Sequence, residues 1–98
     1  MIFADEHARK QLLEKGFVYT FRRYPHKEGK DWATDKRGGR KICDIYVELW
    51  GKIDRALDLL PYLEHSGFGS IVEWVKAIRR LYPKMKEVKG YIYRVEKL

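Results

Sequence analysis

The sequence is poor in residues that heat or oxidation damages: it has no asparagine, one glutamine (Gln11) and one cysteine (Cys43). Charged residues, by contrast, make up 36% of the chain, above the ~25% typical of globular domains. Depletion of labile residues together with enrichment in Lys, Arg and Glu is typical of proteins from hyperthermophiles. The composition therefore predicts a thermophile-like protein.

The single cysteine excludes an internal disulfide, which fits a reducing compartment. No stretch approaches the ~20 apolar residues that cross a bilayer, and residues 1–6 lack the basic start and apolar run of a secretory signal. The three histidines and Cys43 fall in different predicted elements without metal-ligand spacing. We therefore expect a soluble cytoplasmic protein with no metal, no cofactor and no membrane partner.

Length and hydrophobic content predict one domain over residues 1–98, because a chain of this size buries one core but not two. Its first helix begins at the capping residue Asp5 and ends at Gly16. Alternating β-branched and aromatic residues predict a first strand over 17–23 and a last strand over 90–96.

The clearest element is a long strand over 41–53, where apolar and polar residues alternate. Its predicted buried face consists of Cys43, Ile45, Val47, Leu49 and Ile53. Gly51 predicts a bulge near its end. A short helical stretch is expected over 54–60, and Ser70 with Glu73 forms a capping box that predicts a second long helix. The apolar stripe expected on that helix comprises Ile71, Val72, Trp74, Val75, Ile78, Leu81 and Tyr82.

The order of these elements is helix, strand, loop, long strand, helices, strand, without βαβ alternation. This order favours an α+β fold, in which a mixed sheet curls toward a small barrel covered by helices, over a doubly wound sheet. The first strand places Thr20 and Arg22 on one face and its aromatic residues on the other. If the aromatic face is core, Thr20 and Arg22 lie on the opposite face of the strand.

Positive charge is concentrated in residues 22–41, where eight basic and three acidic residues give +5 of the net charge of +7. Residues 24–40 show no apolar periodicity and are interrupted by Pro25 and by glycines, which predicts an irregular loop. Such long connections in small domains are usually binding loops or disordered. The charge asymmetry predicts a polyanionic partner.

The cations of this segment are interleaved with aromatic residues, whose faces can stack unpaired bases for ~1–3 kcal/mol each. The pattern predicts a surface for RNA or another single-stranded nucleic acid, with RNA favoured. The predicted contacts are Arg22, Arg23, Tyr24, Lys27, Lys30, Trp32, Arg37, Arg40 and Lys41. Two other interpretations fit: a solvated loop that keeps a charge-rich protein soluble, and docking on an acidic protein surface.

Two glycine-containing motifs are candidate anion sites. Residues 38–41 (Gly-Gly-Arg-Lys) lack the spacing of a phosphate-binding loop. Residues 66–70 (Ser-Gly-Phe-Gly-Ser) precede a helix and can bind an anion through backbone N–H groups, but an ordinary turn with a helix cap is favoured.

With the elements placed, the sequence resembles the ASCH domains, a branch of the PUA-like superfamily, and in particular their small, single-domain members of archaeal type. The resemblance covers nearly the whole chain. It rests on residues 15–23 (KGFVYTFRR), on 66–70 with Glu73 and Trp74, and on 90–95 (GYIYRV). It implies a PUA-like pseudo-barrel, a cleft between barrel and helices, and an association with RNA.

Some small ASCH proteins are amidohydrolases that remove an acetyl group from acetylated cytidine with a Lys, a Thr and a Glu. Thr20 matches the Thr, and Glu64 is the nearest match to the Glu. The family's Gly-x-Lys is replaced by residues 16–18 (Gly-Phe-Val), with Lys15 before the glycine. A displaced amine loses its reach to the reacting group. An RNA-binding module is therefore favoured, and hydrolysis of an acetylated cytidine or related modified nucleoside is the alternative.

Overall fold

The computed structural model describes residues 1–98 as two α-helices, one 3₁₀ helix and four strands. The helices are α1 (Glu6–Lys15), the 3₁₀ helix (Ala56–His65) and α2 (Ile71–Leu81). The strands are β1 (Phe17–Arg22), β2 (Gly29–Ala33), β3 (Cys43–Ile53) and β4 (Gly90–Lys97). The predicted α+β class is confirmed. None of the helices combines the length and apolar character needed to span a bilayer.

The sheet has the order β1-β4-β3-β2, and every neighbouring pair is antiparallel. The expectation of a mixed sheet is therefore wrong; the one parallel contact is an isolated bridge between Ile2 and Thr34. The edge strands β1 and β2 do not pair with each other, so strand pairing leaves the sheet open. The N-terminal segment contacts both edges, because Phe3 N donates to Thr34 O (2.7 Å) and Arg22 Nη1 donates to Ile2 O (2.7 Å).

The edge strand β2 lies inside the segment 24–40 that the sequence predicts to be irregular, so that prediction is wrong for 29–33. Only Ala33 of this strand is buried, and its neighbours are charged or exposed. Its pairing with β3, from Gly29 opposite Val47 to Ala33 opposite Cys43, holds it in place. An edge strand held by backbone pairing with a distant segment carries little apolar periodicity of its own.

The core lies on both faces of the sheet. One cluster packs under α1 and consists of Phe3, Ala8, Leu12, Val18, Ala33, Ile45, Val47, Tyr93 and Val95. The other packs under the 3₁₀ helix and α2 and consists of Phe21, Ile53, Leu59, Phe68, Trp74, Ala77, Ile78, Met85, Val88 and Ile92. Strand alternation explains the division, because Ile92 and Tyr93 of β4 point to opposite faces.

The helix starts follow the predicted caps. The Asp5 carboxylate accepts a hydrogen bond from His7 N at 2.8 Å, and α1 ends at Gly16. At α2, the Ser70 hydroxyl accepts from Glu73 N at 3.2 Å. The Glu73 carboxylate reaches one residue further back than expected, to the N–H of residue 69 at 3.1 Å. The turn-and-cap interpretation of residues 66–70 is thereby confirmed.

Three apolar residues predicted to be buried lie at the surface. The bulge predicted at Gly51 is present, as a register shift in the pairing of β3 with β4. Leu49, beside the bulge and beyond the last pair with β2, is exposed. On α2, Val72 and Leu81 are also exposed, because the helix buries only the narrow stripe of Trp74, Ala77 and Ile78.

Candidate functional site

A cleft of about 250 Å³ opens between the end of β1, the N-terminal segment and the ends of α1 and α2. Its walls are mainly apolar and aromatic, including Phe3 and Tyr82, and a smaller hollow of about 30 Å³ continues from it beneath α2. The polar residues in its lining are Asp5, Thr20 and Arg22. Two residues that the sequence placed on one strand face, Thr20 and Arg22, therefore meet in this cleft.

Arg22 has an incomplete set of partners. Its Nη1 donates to Ile2 O at 2.7 Å, and its guanidinium carbon lies 5.0 Å from the centre of the Phe3 ring. Its Nε is enclosed and has no hydrogen-bond partner. Burial lowers the pKa of Arg22 below its usual range, to about 10, while the nearby Tyr82 acts in the opposite direction. The side chain therefore stays cationic at neutral pH.

Burial of this charge destabilises the fold. The lowered pKa of Arg22 corresponds to about 3 kcal/mol, since each pKa unit is ~1.36 kcal/mol. No carboxylate forms a salt bridge with it. Perturbed charges without a structural partner concentrate at functional sites. A guanidinium N–H that lacks an acceptor is a ready donor to an anionic oxygen.

The other two polar residues of the cleft differ in what they can still bind. Thr20 is buried, with 6% of its surface exposed. The Asp5 carboxylate is already engaged, because it caps α1, lies 3.2 Å from His7 Nδ1 and is 3.9 Å from Arg80. The cleft therefore offers a cationic donor and a hydroxyl, which suits binding of an anion or a base edge.

The candidate catalytic residues do not gather in the cleft. Lys15 lies in the last turn of α1 and Glu64 near the end of the 3₁₀ helix; both are exposed, and neither lines the cleft. Thr20 alone of the three lies there. The amine and the carboxylate that an amidohydrolase of this type requires are thus outside the site.

The nine predicted nucleic-acid contacts fall in four separate places. Arg22 lies in the cleft, whereas Arg23 turns the other way and its guanidinium lies 5.3 Å from the centre of the exposed Tyr24 ring. Lys27, Lys30 and Trp32 lie before or within β2, and Arg37, Arg40 and Lys41 lie in the turn that precedes β3. A segment that is continuous in sequence is therefore not one continuous surface.

The exposed face of β2 is aromatic but electrostatically mixed. Lys30 lies opposite Tyr46 and Trp32 opposite Asp44 in the pairing with β3, and all four side chains are exposed. Asp44 also forms a salt bridge of 2.9 Å with Lys41. The carboxylate of Asp44 therefore offsets part of the positive charge beside the Trp32 ring.

A second basic surface is assembled from residues that are distant in sequence. Arg23 and Lys89 line two adjoining hollows of about 370 and about 300 Å³; Lys86 completes the first and Lys52 the second. These four residues are called the Arg23 patch below. Sequence reasoning missed its lysines because they lie outside residues 22–41: Lys52 stands alone near the end of β3, and Lys86 and Lys89 lie between α2 and β4. The sheet register brings Lys52 level with the end of β1, since Arg22 and Lys52 both pair with Tyr91 of β4.

Metal and thiol chemistry have no assembled site. No group of three or more His, Cys, Asp or Glu side chains is gathered closely enough to hold a metal ion. Partial burial raises the pKa of the Cys43 thiol, which lowers the thiolate fraction at neutral pH.

Comparison with models of protein families, with curated proteins and with solved structures returns no match. The resemblance to ASCH domains accordingly stays a prediction. The functional argument depends on the geometry of the cleft and of the Arg23 patch.

Proposed function

We propose that this protein is an RNA-binding module that holds one phosphate or one base edge of the strand in the cleft at Arg22. The observation that carries the proposal is the enclosed Nε of Arg22, a charged donor without an acceptor. A planar guanidinium matches both phosphate oxygens and the acceptor edge of guanine. A bound anion would supply the missing acceptor and offset the burial of the charge.

A PUA-like pseudo-barrel is part of the same proposal. It is supported by the N-terminal segment, which hydrogen-bonds to Thr34 at the end of β2 and to Arg22 at the end of β1. Those contacts connect the two sheet edges beside the core cluster that packs under α1. In such an architecture the cleft lies between the curled sheet and the helices, which is where Arg22 is found.

The size of the cleft favours one unit of a chain over a complete small molecule. Its volume of about 250 Å³ falls below the ~300–1,000 Å³ of sites that enclose drug-sized ligands. One phosphate or one base fits that volume, and the rest of the ligand would lie on the surface. The net charge of +7 favours a polyanion.

The alternative is an amidohydrolase that acts on an acetylated cytidine or a related modified nucleoside. Thr20 in the cleft favours it, whereas the exposed positions of Lys15 and Glu64 do not. Turnover of acetylated cytidine that disappears in Thr20→Ala would establish the enzyme. Absence of turnover by the unaltered protein would eliminate it.

Salt-dependent RNA binding tests the proposed function. Each neutralised phosphate of a single strand contributes about −0.7 to the slope of log K against log salt concentration. We expect a slope of about −2 or steeper for a fluorescein-labelled single-stranded RNA followed by anisotropy. A slope shallower than about −1 contradicts the proposal.

A conservative substitution locates that binding at the cleft. Arg22→Lys keeps the charge but removes the Nε–H donor, so we expect it to weaken binding about tenfold. Arg40→Lys, at an exposed position in the turn before β3, is the matched control and should leave affinity unchanged. Equal behaviour of the two variants would contradict a role for the cleft.

A further inference from the structure

We propose that the Arg23 patch is the surface along which the phosphate backbone of a bound RNA strand reaches the cleft. This inference rests on the proposed function and adds Lys52, Lys86 and Lys89 to the contact surface. The patch would bind phosphodiester groups of the RNA, while the cleft would bind one phosphate or one base of the same strand.

The patch and the cleft share a rim. Arg22, the last residue of β1, lines the cleft, and the next residue, Arg23, lines the patch. Across from them, Tyr82 lines the cleft and Met85 lines the patch. These two residues belong to one turn, in which Met85 N donates to Tyr82 O at 3.0 Å. A chain lying on the patch would therefore reach the cleft around the end of β1, past Arg22 and this turn.

Two lysines of the patch are positioned by packing. Met85 and Val88 are buried in the core, with 7% and 3% of their surfaces exposed. Arg79 Nη1 donates to Met85 O at 3.1 Å and to Lys86 O at 3.4 Å, which ties this segment to α2. With the apolar residues anchored inward, Lys86 and Lys89 lie outside. A backbone that is already ordered loses less entropy when it binds.

The patch also depends on a close approach of β4 to β1. A side chain at Gly90 would overlap the carbonyl oxygen of Arg22 and the ring of Phe21. The absence of a Cβ lets β4 begin against the end of β1. Lys89, one residue earlier, thereby lines the same hollows as Arg23.

The charge of the patch is largely uncompensated. Glu87 and Asp54 also line the hollows. Glu87 lies 3.2 Å from Lys89 Nζ, but both side chains are mostly exposed. Exposed pairs of this kind are weak. Arg23, Lys52 and Lys86 form no salt bridge, so their charges are available to phosphates.

A nucleic acid fits this surface better than an acidic protein does. The guanidinium of Arg23 lies over the ring of Tyr24, which is 66% exposed. The pair presents an aromatic face for an unpaired base beside a cation for the adjoining phosphate. That combination recurs in proteins that bind single strands.

Two double variants, each of which loses two positive charges, test whether the RNA backbone follows the Arg23 patch. Lys86→Gln/Lys89→Gln removes two cations of the patch, and Arg37→Gln/Arg40→Gln removes two from the turn before β3. Binding of a labelled ten-nucleotide RNA is measured over a series of KCl concentrations. We expect the patch variant to flatten the slope by about 1.4 and to lower affinity on the order of 25-fold at 0.1 M salt. The turn variant should change affinity less than about threefold.

The outcomes separate this inference from the proposed function. If the unaltered protein binds RNA and both double variants lose affinity equally, or only the turn variant does, the path is wrong and the proposed function stands. If the unaltered protein does not bind RNA, both are wrong. Equally tight binding of polyglutamate would assign the patch to simple charge attraction and overturn the RNA path.

A substitution that is expected to strengthen RNA binding completes the test. Glu87→Gln removes a carboxylate that competes for Lys89, so we expect RNA affinity to rise about two- to fivefold. Because Glu87 is exposed, its replacement should not shift the unfolding midpoint. Unchanged or weaker binding by Glu87→Gln contradicts phosphate contact at Lys89.

Discussion

The molecule carries two basic surfaces that differ in how they are built. The basic turn (Lys36, Arg37, Arg40 and Lys41) is contiguous in sequence, and all four side chains are exposed. The Arg23 patch draws its cations from the end of β1, the end of β3 and the segment before β4. Buried residues anchor that segment next to the cleft. No residue of the turn lines the cleft or the hollows of the patch, and Lys41 is paired with Asp44.

The proposed RNA path implies that charge density along a sequence does not by itself locate a binding surface. A flexible lysine loses up to ~2 kcal/mol of side-chain entropy when it is ordered, in either location. In the patch, buried residues anchor the backbone between the charges, whereas residues 36–41 of the basic turn include no buried residue. Only the patch adjoins the cleft in which Arg22, a cationic donor with an unpaired Nε, is found.

The largest expected effect is on stability, and it distinguishes a glycine beside the Arg23 patch from a glycine in the basic turn. Gly90→Ala forces a methyl group against Arg22 and the Phe21 ring, so we expect a loss of about 3 kcal/mol in the free energy of unfolding. Gly38→Ala, in the basic turn at a φ of 72°, should cost only about 1 kcal/mol. Urea denaturation measures both values. Equal losses would mean that β4 tolerates displacement from β1.

Substitution of Arg22 should separate stability from binding. Arg22→Met removes a buried, unpaired charge, so we expect the free energy of unfolding to rise by about 1–2 kcal/mol while RNA affinity falls about 30-fold. Arg40→Met in the basic turn should change neither quantity. Thermal unfolding and anisotropy titration of the same samples provide the comparison. A large loss of stability in Arg22→Met would instead assign this arginine a structural role.

The exposed aromatic residues extend the comparison at smaller magnitude. Tyr24 adjoins the patch, so Tyr24→Ala should weaken RNA binding by about 1 kcal/mol, or roughly fivefold. Trp32→Ala should have less effect because the carboxylate of Asp44 lies opposite on the same face. Titration with single-stranded RNA decides between them. A larger loss of RNA affinity in Trp32→Ala than in Tyr24→Ala would indicate that bases stack on β2 instead.

The smallest effect concerns Asp31 in β2. Burial acts to raise the pKa of its carboxyl, but hydrogen bonds from the Met1 ammonium at 2.8 Å and from Trp32 N, together with His26, lower it overall. A carboxyl group whose pKa is lower in the folded than in the unfolded protein stabilises the fold at pH values above its unfolded pKa. That stabilisation is lost as the pH falls through the folded pKa. We expect Asp31→Asn to lose less than about 1 kcal/mol at pH 7.

Acid titration of stability checks this prediction. The unaltered protein and Asp31→Asn should converge in stability near pH 2, where the carboxylate is protonated. Glu87→Gln in the patch provides the control and should run parallel to the unaltered protein. A difference between the unaltered protein and Asp31→Asn that persists at pH 2 would rule out ionisation of Asp31 as its cause.

The features that were predicted correctly depend on neighbours in sequence. The cap at Asp5, the capping pair of Ser70 and Glu73 and the bulge at Gly51 each involve local hydrogen bonds or local backbone geometry. The alternation over 41–53 located β3 for the same reason. By contrast, the irregular loop predicted over 24–40 missed β2, whose pairing partner lies elsewhere in the chain.

The sequence by itself therefore determined the α+β class, the bounds of both long helices and the strands β1, β3 and β4. It also placed Thr20 and Arg22 on one strand face. Only the tertiary structure decided that this face closes over a cleft, that Nε of Arg22 has no acceptor there, and that three scattered lysines gather around Arg23. Periodicity and capping are local interactions, whereas burial and charge clustering depend on strand register and packing between distant segments.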